Sequence, residues 1–181
     1  SLKRKLKSRD RLTIERIPTG AAFADEARVD TYYTLFDAVY MQSEIHFDKL
    51  TRAFFADLLR DGGNGGIVFE YRALESGALL GWNLCFEHGG KLIDKYIGMS
   101  YPAAREANLY FVSWMVNLEY ALQRGLSHYV AGWTDPEVKA QLGASFTMTQ
   151  HLVFIRNPVL RALGRRFSKL FENDSQWGPK A

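Results

Sequence analysis

The sequence predicts a mixed α/β domain built around a single sheet. Some segments alternate apolar and polar residues with the two-residue period of a strand, and others repeat apolar residues with the 3.6-residue period of an amphipathic helix. Three predicted strands follow one another with short, mostly glycine-containing turns between them, which favours antiparallel pairing. A long helix then leads to the next strand, which favours a parallel crossover, so the sheet should be mixed.

The elements of the first half are defined by periodicity and by helix signals. Thr51 is a helix N-cap residue, and Gly62 ends the helix that follows it. The glycine-rich segment 61–66 is a turn and not a phosphate-binding loop, because no Gly-Lys-Ser or Gly-Lys-Thr follows. The predicted elements are a short basic helix over residues 3–9, a strand over 12–17, a helix over 29–43, and a helix from Thr51 to Gly62.

The second half continues this order and ends in an amphipathic helix. Asn108 is the predicted N-cap of the long helix, and Gly125 ends it. Residues 134–137, Thr-Asp-Pro-Glu, form a capping box with proline in the first turn. The predicted elements are strands over residues 67–73, 78–87 and 91–98, the long helix, a strand over 128–133, a short helix to Leu142, a strand over 146–156, and a helix that begins at Asn157.

No repeat or linker divides the chain. We expect one domain over residues 12–157, a basic segment over residues 1–11 that is a possible connecting helix, and a C-terminal amphipathic helix and tail over residues 158–181. The 181 residues are 47% hydrophobic and 24% charged, which is typical of a folded domain. Six apolar residues on the inner faces of their elements are predicted to be buried: Phe54, Phe55, Leu58, Val112, Val116 and Phe146.

Several protein classes are disfavoured by the sequence. No apolar run has the length of a transmembrane helix, and the basic start precedes no apolar signal segment. The single cysteine, Cys85, lies in an apolar run, which indicates a core residue in a cytoplasmic, reducing environment. The four histidines show no metal-ligand spacing, so we expect no metal, and no Gly-x-Ser-x-Gly motif indicates a serine hydrolase.

Three local segments resemble a known family. They are residues 92–98, 108–111 and 131–146. The last is the most specific. In it, a predicted strand ends near Gly132, a short helix follows, and Lys139 stands four residues before a Gly-x-x-Phe element formed by Gly143 and Phe146. Over residues 12–157 the chain resembles the GNAT superfamily of acyltransferases. Within it, the chain resembles the Fem-like aminoacyl transferases and their acetyltransferase relatives in bacterial cell-envelope biosynthesis.

The resemblance implies a GNAT-like acyltransferase fold and an N-acyltransferase that moves an acyl or aminoacyl group to an amine. The donor would be acetyl-CoA, another acyl-CoA or an aminoacyl-tRNA, and the acceptor a small molecule or a cell-envelope precursor. Fem-like proteins often pair two such domains, so a second GNAT-like domain or a homodimer is an implied partner. A non-catalytic GNAT-like binding domain, half of a tandem pair, is the alternative, and the basic ends leave RNA binding as a third hypothesis.

Acyl transfer to an amine requires a proton acceptor and stabilisation of a tetrahedral oxyanion. The resemblance places the reaction where strands 91–98 and 128–133 splay apart. The predicted catalytic residues are Asp94 as proton acceptor, Tyr96 on the same strand face by alternation, and Lys139 as the oxyanion or phosphate partner. Five further residues are predicted to bind substrate: Arg105, Asn108, Tyr110, Trp133 and Asp135.

The loop over residues 101–108 departs from the acetyl-CoA pattern. Many acetyl-CoA users carry Arg/Gln-x-x-Gly-x-Gly/Ala there, with backbone amides that hold the pyrophosphate at a helix N-terminus. This loop keeps Arg105 but contains no glycine, and a diphosphate approaches a backbone less closely without glycine. The sequence therefore predicts weak CoA binding and leaves aminoacyl-tRNA open as the donor.

Overall fold

The computed structural model describes four stretches of the chain, residues 2–43, 49–132, 136–147 and 154–167. The chain divides into two units, Ser1–Gly132 and Trp133–Ala181, and each is described by itself. The first unit contains the sheet and the helices that cover it.

The described part of the first unit contains one mixed sheet. Its strands are β1 (Leu12–Pro18), β2 (Gly66–Ala73), β3 (Leu79–His88), β4 (Lys91–Met99) and β5 (His128–Val130). They lie in the order β1-β2-β3-β4-β5, with β1 to β4 antiparallel and β5 parallel to β4. The predicted meander and parallel crossover are confirmed. Strand β5 ends at Val130 and is thus shorter than the predicted strand.

Helices lie on both faces of this sheet. They are α1 (Leu2–Leu6), α2 (Glu26–Gln42), α3 (Arg52–Arg60), α4 (Ala103–Glu106) and α5 (Leu109–Gln123), with 3₁₀ turns at Lys7–Arg11 and Ala21–Phe23. Thr51 caps α3 as predicted, since its Oγ1 accepts a hydrogen bond from the Phe54 amide at 3.2 Å. Helix α5 is the predicted crossover between β4 and β5.

The two faces of the sheet form separate apolar cores, because successive strand side chains point to opposite faces. On one face, Leu109, Val112 and Val116 of α5 pack with Phe69 and Leu92. Helices α2 and α3 cover the other face. The buried residues of that second core include Val29, Tyr32, Phe55, Leu59, Val68, Trp82 and Leu84.

A buried carboxylate ties α2 to β2. Glu70 accepts hydrogen bonds from the Tyr32 hydroxyl, from Arg72 Nε at 2.6 Å and from Arg28 Nη2 at 3.3 Å. Burial alone would raise the pKa of Glu70, but these hydrogen bonds and the charge of Arg72 outweigh burial and lower it. The carboxylate therefore stays ionised, and removing one of its partners would leave a buried charge uncompensated.

The second unit contains the described helices α6 (Pro136–Gln141) and α7 (Pro158–Arg166). Gly143 follows α6 with a φ of +86°, a left-handed conformation that favours glycine at a helix end. Helix α7 begins where it was predicted to begin, and Asn157 caps it: its Oδ1 accepts hydrogen bonds from two first-turn amides at 2.9 and 3.3 Å.

The strand predicted over residues 146–156 is wrong where the structure describes it. Residues 146–147 and 154–156 are not in a strand, and residues 148–153 lie outside the described residues. Thr134 and Asp135 of the predicted capping box also lie outside them.

Three of the six burial predictions are confirmed, one is confirmed in part, and two, both of phenylalanines, are wrong. Three of the six residues are buried and a fourth is partly buried: Phe55, Val112, Val116 and Leu58. Phe54 is 51% exposed, because α3 turns only one face to the core and Phe55 occupies it. Phe146 is 39% exposed, because residues 144–147 form no strand that would pack it against a sheet.

Phe54 and Phe55 are adjacent in α3, so a pair of substitutions tests which face of this helix is buried. Phe55 packs against the rings of Phe36 and Trp82, with centroids 5.7 and 5.3 Å away, so Phe55→Ala should lower the free energy of unfolding by about 3–5 kcal/mol. Phe54→Ala makes the same chemical change at an exposed position and should cost less than about 1 kcal/mol. Urea denaturation followed by circular dichroism measures both, and equal losses would contradict the assigned face.

Candidate active site

Strands β4 and β5 pair over only three residues. Lys91, Leu92 and Ile93 pair with His128, Tyr129 and Val130. Strand β4 continues to Met99, and among the described residues no strand on the β5 side pairs with it from Lys95 onward. The two strands thus open beside Asp94.

The Asp94 carboxylate lies at this opening and is held from three elements. Its Oδ2 accepts a hydrogen bond from the Tyr129 hydroxyl of β5 at 2.7 Å and from Asn117 Nδ2 of α5 at 3.2 Å. Its Oδ1 is 3.5 Å from Asn83 Nδ2 of β3. Asn117 Nδ2 also contacts the Tyr129 hydroxyl oxygen at 3.1 Å, which closes a triangle around the carboxylate.

Two side chains beside Asp94, Tyr129 and Cys85, keep their protons at neutral pH. Burial raises the pKa of the Tyr129 hydroxyl, and the charge of Asp94 raises it further. Tyr129 therefore remains a hydrogen-bond donor at neutral pH. The same two causes raise the pKa of the Cys85 thiol, which is fully buried. Cys85 is a neutral core residue, as predicted, and not a nucleophile.

Two buried polar atoms of α5 lie close to this cluster without a partner among the described residues. They are Asn117 Oδ1 and Trp114 Nε1, and both residues contact Tyr129. A buried polar atom that makes no hydrogen bond costs about 1–3 kcal/mol. A binding or catalytic role is one of the explanations for such atoms in a folded protein.

Tyr96 does not share a face with Asp94, and that prediction is wrong. The register between β3 and β4 shifts so that Leu84 pairs with Tyr96 and Cys85 pairs with Asp94, which leaves Lys95 as an extra, bulged residue. Asp94 therefore faces α5, whereas Tyr96 faces α2, where its ring lies 6.3 Å from that of Phe36. Because of this bulge, counting alternate residues from Asp94 assigns Tyr96 to the wrong face of the sheet.

The loop between β4 and α5 is closed by its own backbone. Helix α4 lies within it, and five consecutive amides, from Ala104 to Asn108, donate to loop carbonyls at 2.8–3.3 Å. An amide that already donates within the loop is not available to a phosphate. The loop thus contains no glycine, and its structure also leaves few backbone amides free to bind a phosphate.

Three of the residues that were predicted to bind substrate lie in this loop and in the first turn of α5: Arg105, Asn108 and Tyr110. Arg105 Nη2 donates to Gln42 Oε1 at 2.6 Å, and its guanidinium lies 5.0 Å from the centroid of the Tyr101 ring. Asn108 occupies the N-cap position, but its side chain does not cap α5 and instead donates to Ser8 Oγ at 3.1 Å. Tyr110 is partly buried and packs edge-on against Phe111.

The remaining predicted residues belong to the second unit. Lys139 lies on α6 and is only 4% exposed. Trp133 and Asp135 lie outside the described residues.

The sequence prediction missed three members of the Asp94 cluster, namely Asn83, Asn117 and Tyr129. Asn117 was detectable in principle, because it interrupts the apolar run of residues 114–118 within α5. Asn83 interrupts the apolar run of β3 in the same way. Tyr129 gave no such signal, since tyrosine is common in strands.

The described residues contain neither a cluster of metal-ligating side chains nor a membrane-spanning helix. No group of three or more His, Cys, Asp or Glu residues is placed there to hold a metal ion. None of the helices described is both long enough and apolar enough to cross a membrane.

A mixed sheet with parallel, diverging fourth and fifth strands and a crossover helix between them is the architecture of GNAT-type acyltransferases. The sequence matches the family model described as an acetyltransferase (GNAT) domain over residues 1–140. The chain belongs to this family and is an acyltransferase. No curated protein sequence matches it.

Solved structures share this fold at low sequence identity. An acetyltransferase of Trypanosoma brucei is 13% identical, with a TM-score of 0.51 over 80% of this chain and 99% of its own. A possible acetyltransferase from Clostridium difficile is 8% identical, with a TM-score of 0.52 over the same shares. At these identities the likeness supports the fold alone.

The closed loop generates a prediction about acyl-CoA, the donor that GNAT acetyltransferases use. Because the amides from Ala104 to Asn108 are occupied, acetyl-CoA should bind with a dissociation constant weaker than about 1 μM, or about −8 kcal/mol. Isothermal titration calorimetry measures this constant. Arg105→Gln should weaken binding further, with the exposed Arg11→Gln as a control of equal charge change. Submicromolar binding would contradict the occupied-amide argument.

Proposed function

We propose that this protein transfers an acyl or aminoacyl group from an activated donor to an amine acceptor at the opening between β4 and β5. The observation that carries the proposal is the Asp94 carboxylate, which lies where the strands part and is held by Tyr129 and Asn117. The family match supports the reaction class.

In the proposed reaction, the amine nitrogen forms a bond to the acyl carbon while the bond from that carbon to the donor sulfur or oxygen breaks. The amine proton passes to Asp94, directly or through a water molecule, and the leaving thiolate or alkoxide takes up a proton. Alignment of the two bound substrates supplies much of the acceleration. Backbone groups of β4 beyond Asp94, where no described strand continues the pairing with β5, are proposed to lie beside the reacting carbonyl.

Tyr129 and Asn117 act as positioning residues in this proposal. Both donate to Asp94 Oδ2, so they stabilise its ionised form and restrict its orientation. Tyr96, on the opposite face of β4, is proposed to line the acceptor side of the opening rather than to join in proton transfer. Arg105, Asn108 and Tyr110 are proposed substrate contacts around the first turn of α5.

The donor is proposed to be an acyl-CoA or an aminoacyl-tRNA. Family membership supports the first, and the closed loop supports the second. The Fem-like subgroup, a cell-envelope precursor as acceptor, a cytoplasmic site of action and a second GNAT-like domain or homodimer as partner are proposed from the sequence resemblance. Trp133 and Asp135 remain proposed substrate contacts on the same ground.

The role of Asp94 predicts a specific pattern of loss. Asp94→Asn keeps the shape of the side chain but removes the proton acceptor, so kcat/KM should fall by about 100- to 10,000-fold. The assay is transfer from labelled acyl-CoA and from aminoacyl-tRNA to a panel of amines. An Asp94→Asn variant with full activity would exclude Asp94 as the proton acceptor.

The pH dependence of kcat/KM distinguishes a role of Tyr129 in positioning Asp94 from a role in the stability of the fold. Tyr129→Phe removes a donor to the carboxylate, so proton uptake by Asp94 should become easier and the acidic limb of kcat/KM should move to higher pH. Tyr71 and Cys85 also face this carboxylate, but both have raised pKa values and stay neutral. Tyr120→Phe removes a similar hydrogen bond, to Glu87, and should leave the limb unmoved. Equal shifts in both variants would contradict the assignment.

Lys139 is proposed to stabilise negative charge on the substrate or transition state. Its support is the Lys-x-x-x-Gly spacing to Gly143 and the near-complete burial of its side chain. Lys139→Met should keep the fold and lower transfer by about 10- to 1000-fold, the loss of about 1.4–4 kcal/mol of electrostatic stabilisation. Lys139→Arg, which keeps the charge, should retain more activity. Full activity in Lys139→Met would remove Lys139 from the mechanism.

A further inference from the structure

Residues 154–167 of the second unit carry an apolar surface that solvent reaches. Five large apolar side chains are each between 45% and 79% exposed: Phe154, Val159, Leu160, Leu163 and Phe167. Exposed apolar side chains are unremarkable when scattered, but these five fall within one 14-residue stretch around α7.

The exposed residues lie together on one side of α7. At about 100° per residue, Val159, Leu160 and Leu163 fall within an arc of about 100°. Arg161 and Arg165 fall on the opposite side, and Arg166 borders the apolar arc beside Val159. Helix α7 is therefore amphipathic, with its apolar face exposed.

Local contacts define the conformation of this segment. Asn157 caps the first turn, and Pro158 occupies the first helical position. Ile155 packs against Gly164, where a Cβ atom would lie only 3.2 Å from Ile155 Cδ1. The segment before α7 thus folds back along the helix, and the Arg161 guanidinium lies 5.7 Å from the centroid of the Phe154 ring.

The charge of this stretch has one sign. All of its charged residues are arginines, namely Arg156, Arg161, Arg165 and Arg166. A helix with an exposed aliphatic face and with only positive charges on its remaining surface complements a surface that is apolar below a layer of negative charge. The interface of an anionic lipid bilayer has this structure.

We infer that α7 binds the surface of anionic membranes, with its apolar face in the interfacial region and its arginines on lipid phosphates. Arginine forms bidentate hydrogen bonds to phosphate. RNA would also attract the arginines, but it offers no apolar phase for Val159, Leu160 and Leu163. The inference does not depend on the acyltransferase reaction, since α7 contains none of the proposed catalytic residues.

The test is cosedimentation of the full chain with vesicles of phosphatidylcholine alone and of phosphatidylcholine mixed with phosphatidylglycerol. Binding is expected only to the mixed vesicles. Each interfacial basic residue contributes about fivefold to such binding, so Arg161→Gln with Arg165→Gln should weaken it by about 25-fold. Leu160→Ser with Leu163→Ser should weaken it by at least about tenfold, because the inserted apolar area is lost.

A matched control removes two exposed basic residues from the first unit. Arg11→Gln with Lys91→Gln makes the same charge change and should bind like the unmodified chain. Circular dichroism confirms the fold of each variant. Absence of binding to the mixed vesicles, equal weakening in the control, or binding that the leucine substitutions leave unchanged would overturn the inference. A dimer that the leucine substitutions dissociate, without vesicle binding, would assign the face to a second copy and would also overturn it.

Discussion

An extra residue in β4 determines which side chains meet at the opening of the sheet. Strand side chains alternate between faces, and the bulge at Lys95 shifts that alternation by one position. Asp94 precedes the bulge and faces α5, while Ile97 and Met99 follow it and also pack on the α5 side. Without the bulge, the α5 core would receive Tyr96 and residue 98 in place of two apolar side chains.

The same bulge accounts for the glycine at position 98. Gly98 lies on the α2 face, where a Cβ atom would overlap the indole of Trp82. That indole stacks on Tyr32 with a centroid distance of 5.2 Å and donates to the Tyr32 carbonyl at 3.1 Å. The register shift therefore sets the close packing of one core and the polar cluster of the other at the same time.

Much of the fold follows from local sequence signals, whereas the site depends on contacts that such signals do not encode. Thr51 and Asn157 are caps that a reader of the sequence can identify, and the turn after His88 is equally visible. The bulge leaves no mark in residues 91–98, so counting alternate residues placed Tyr96 wrongly. Tyr129 and Asn117 are 12 residues apart, and only the crossover of α5 brings both to Asp94.

The closed loop before α5 bears on the kind of donor that the site can hold. The amides from Ala104 to Asn108 donate within the loop and are occupied. Two positively charged side chains lie near the start of α5: Arg105, and Lys5, whose ammonium lies 3.6 Å from the centroid of the Phe111 ring. Cations on flexible stems bind phosphates less specifically than a backbone cradle, and salt screens them. Their total effect grows with the number of phosphates contacted. A donor with an extended phosphate backbone, such as an aminoacyl-tRNA, gains more from such contacts than one with a single pyrophosphate.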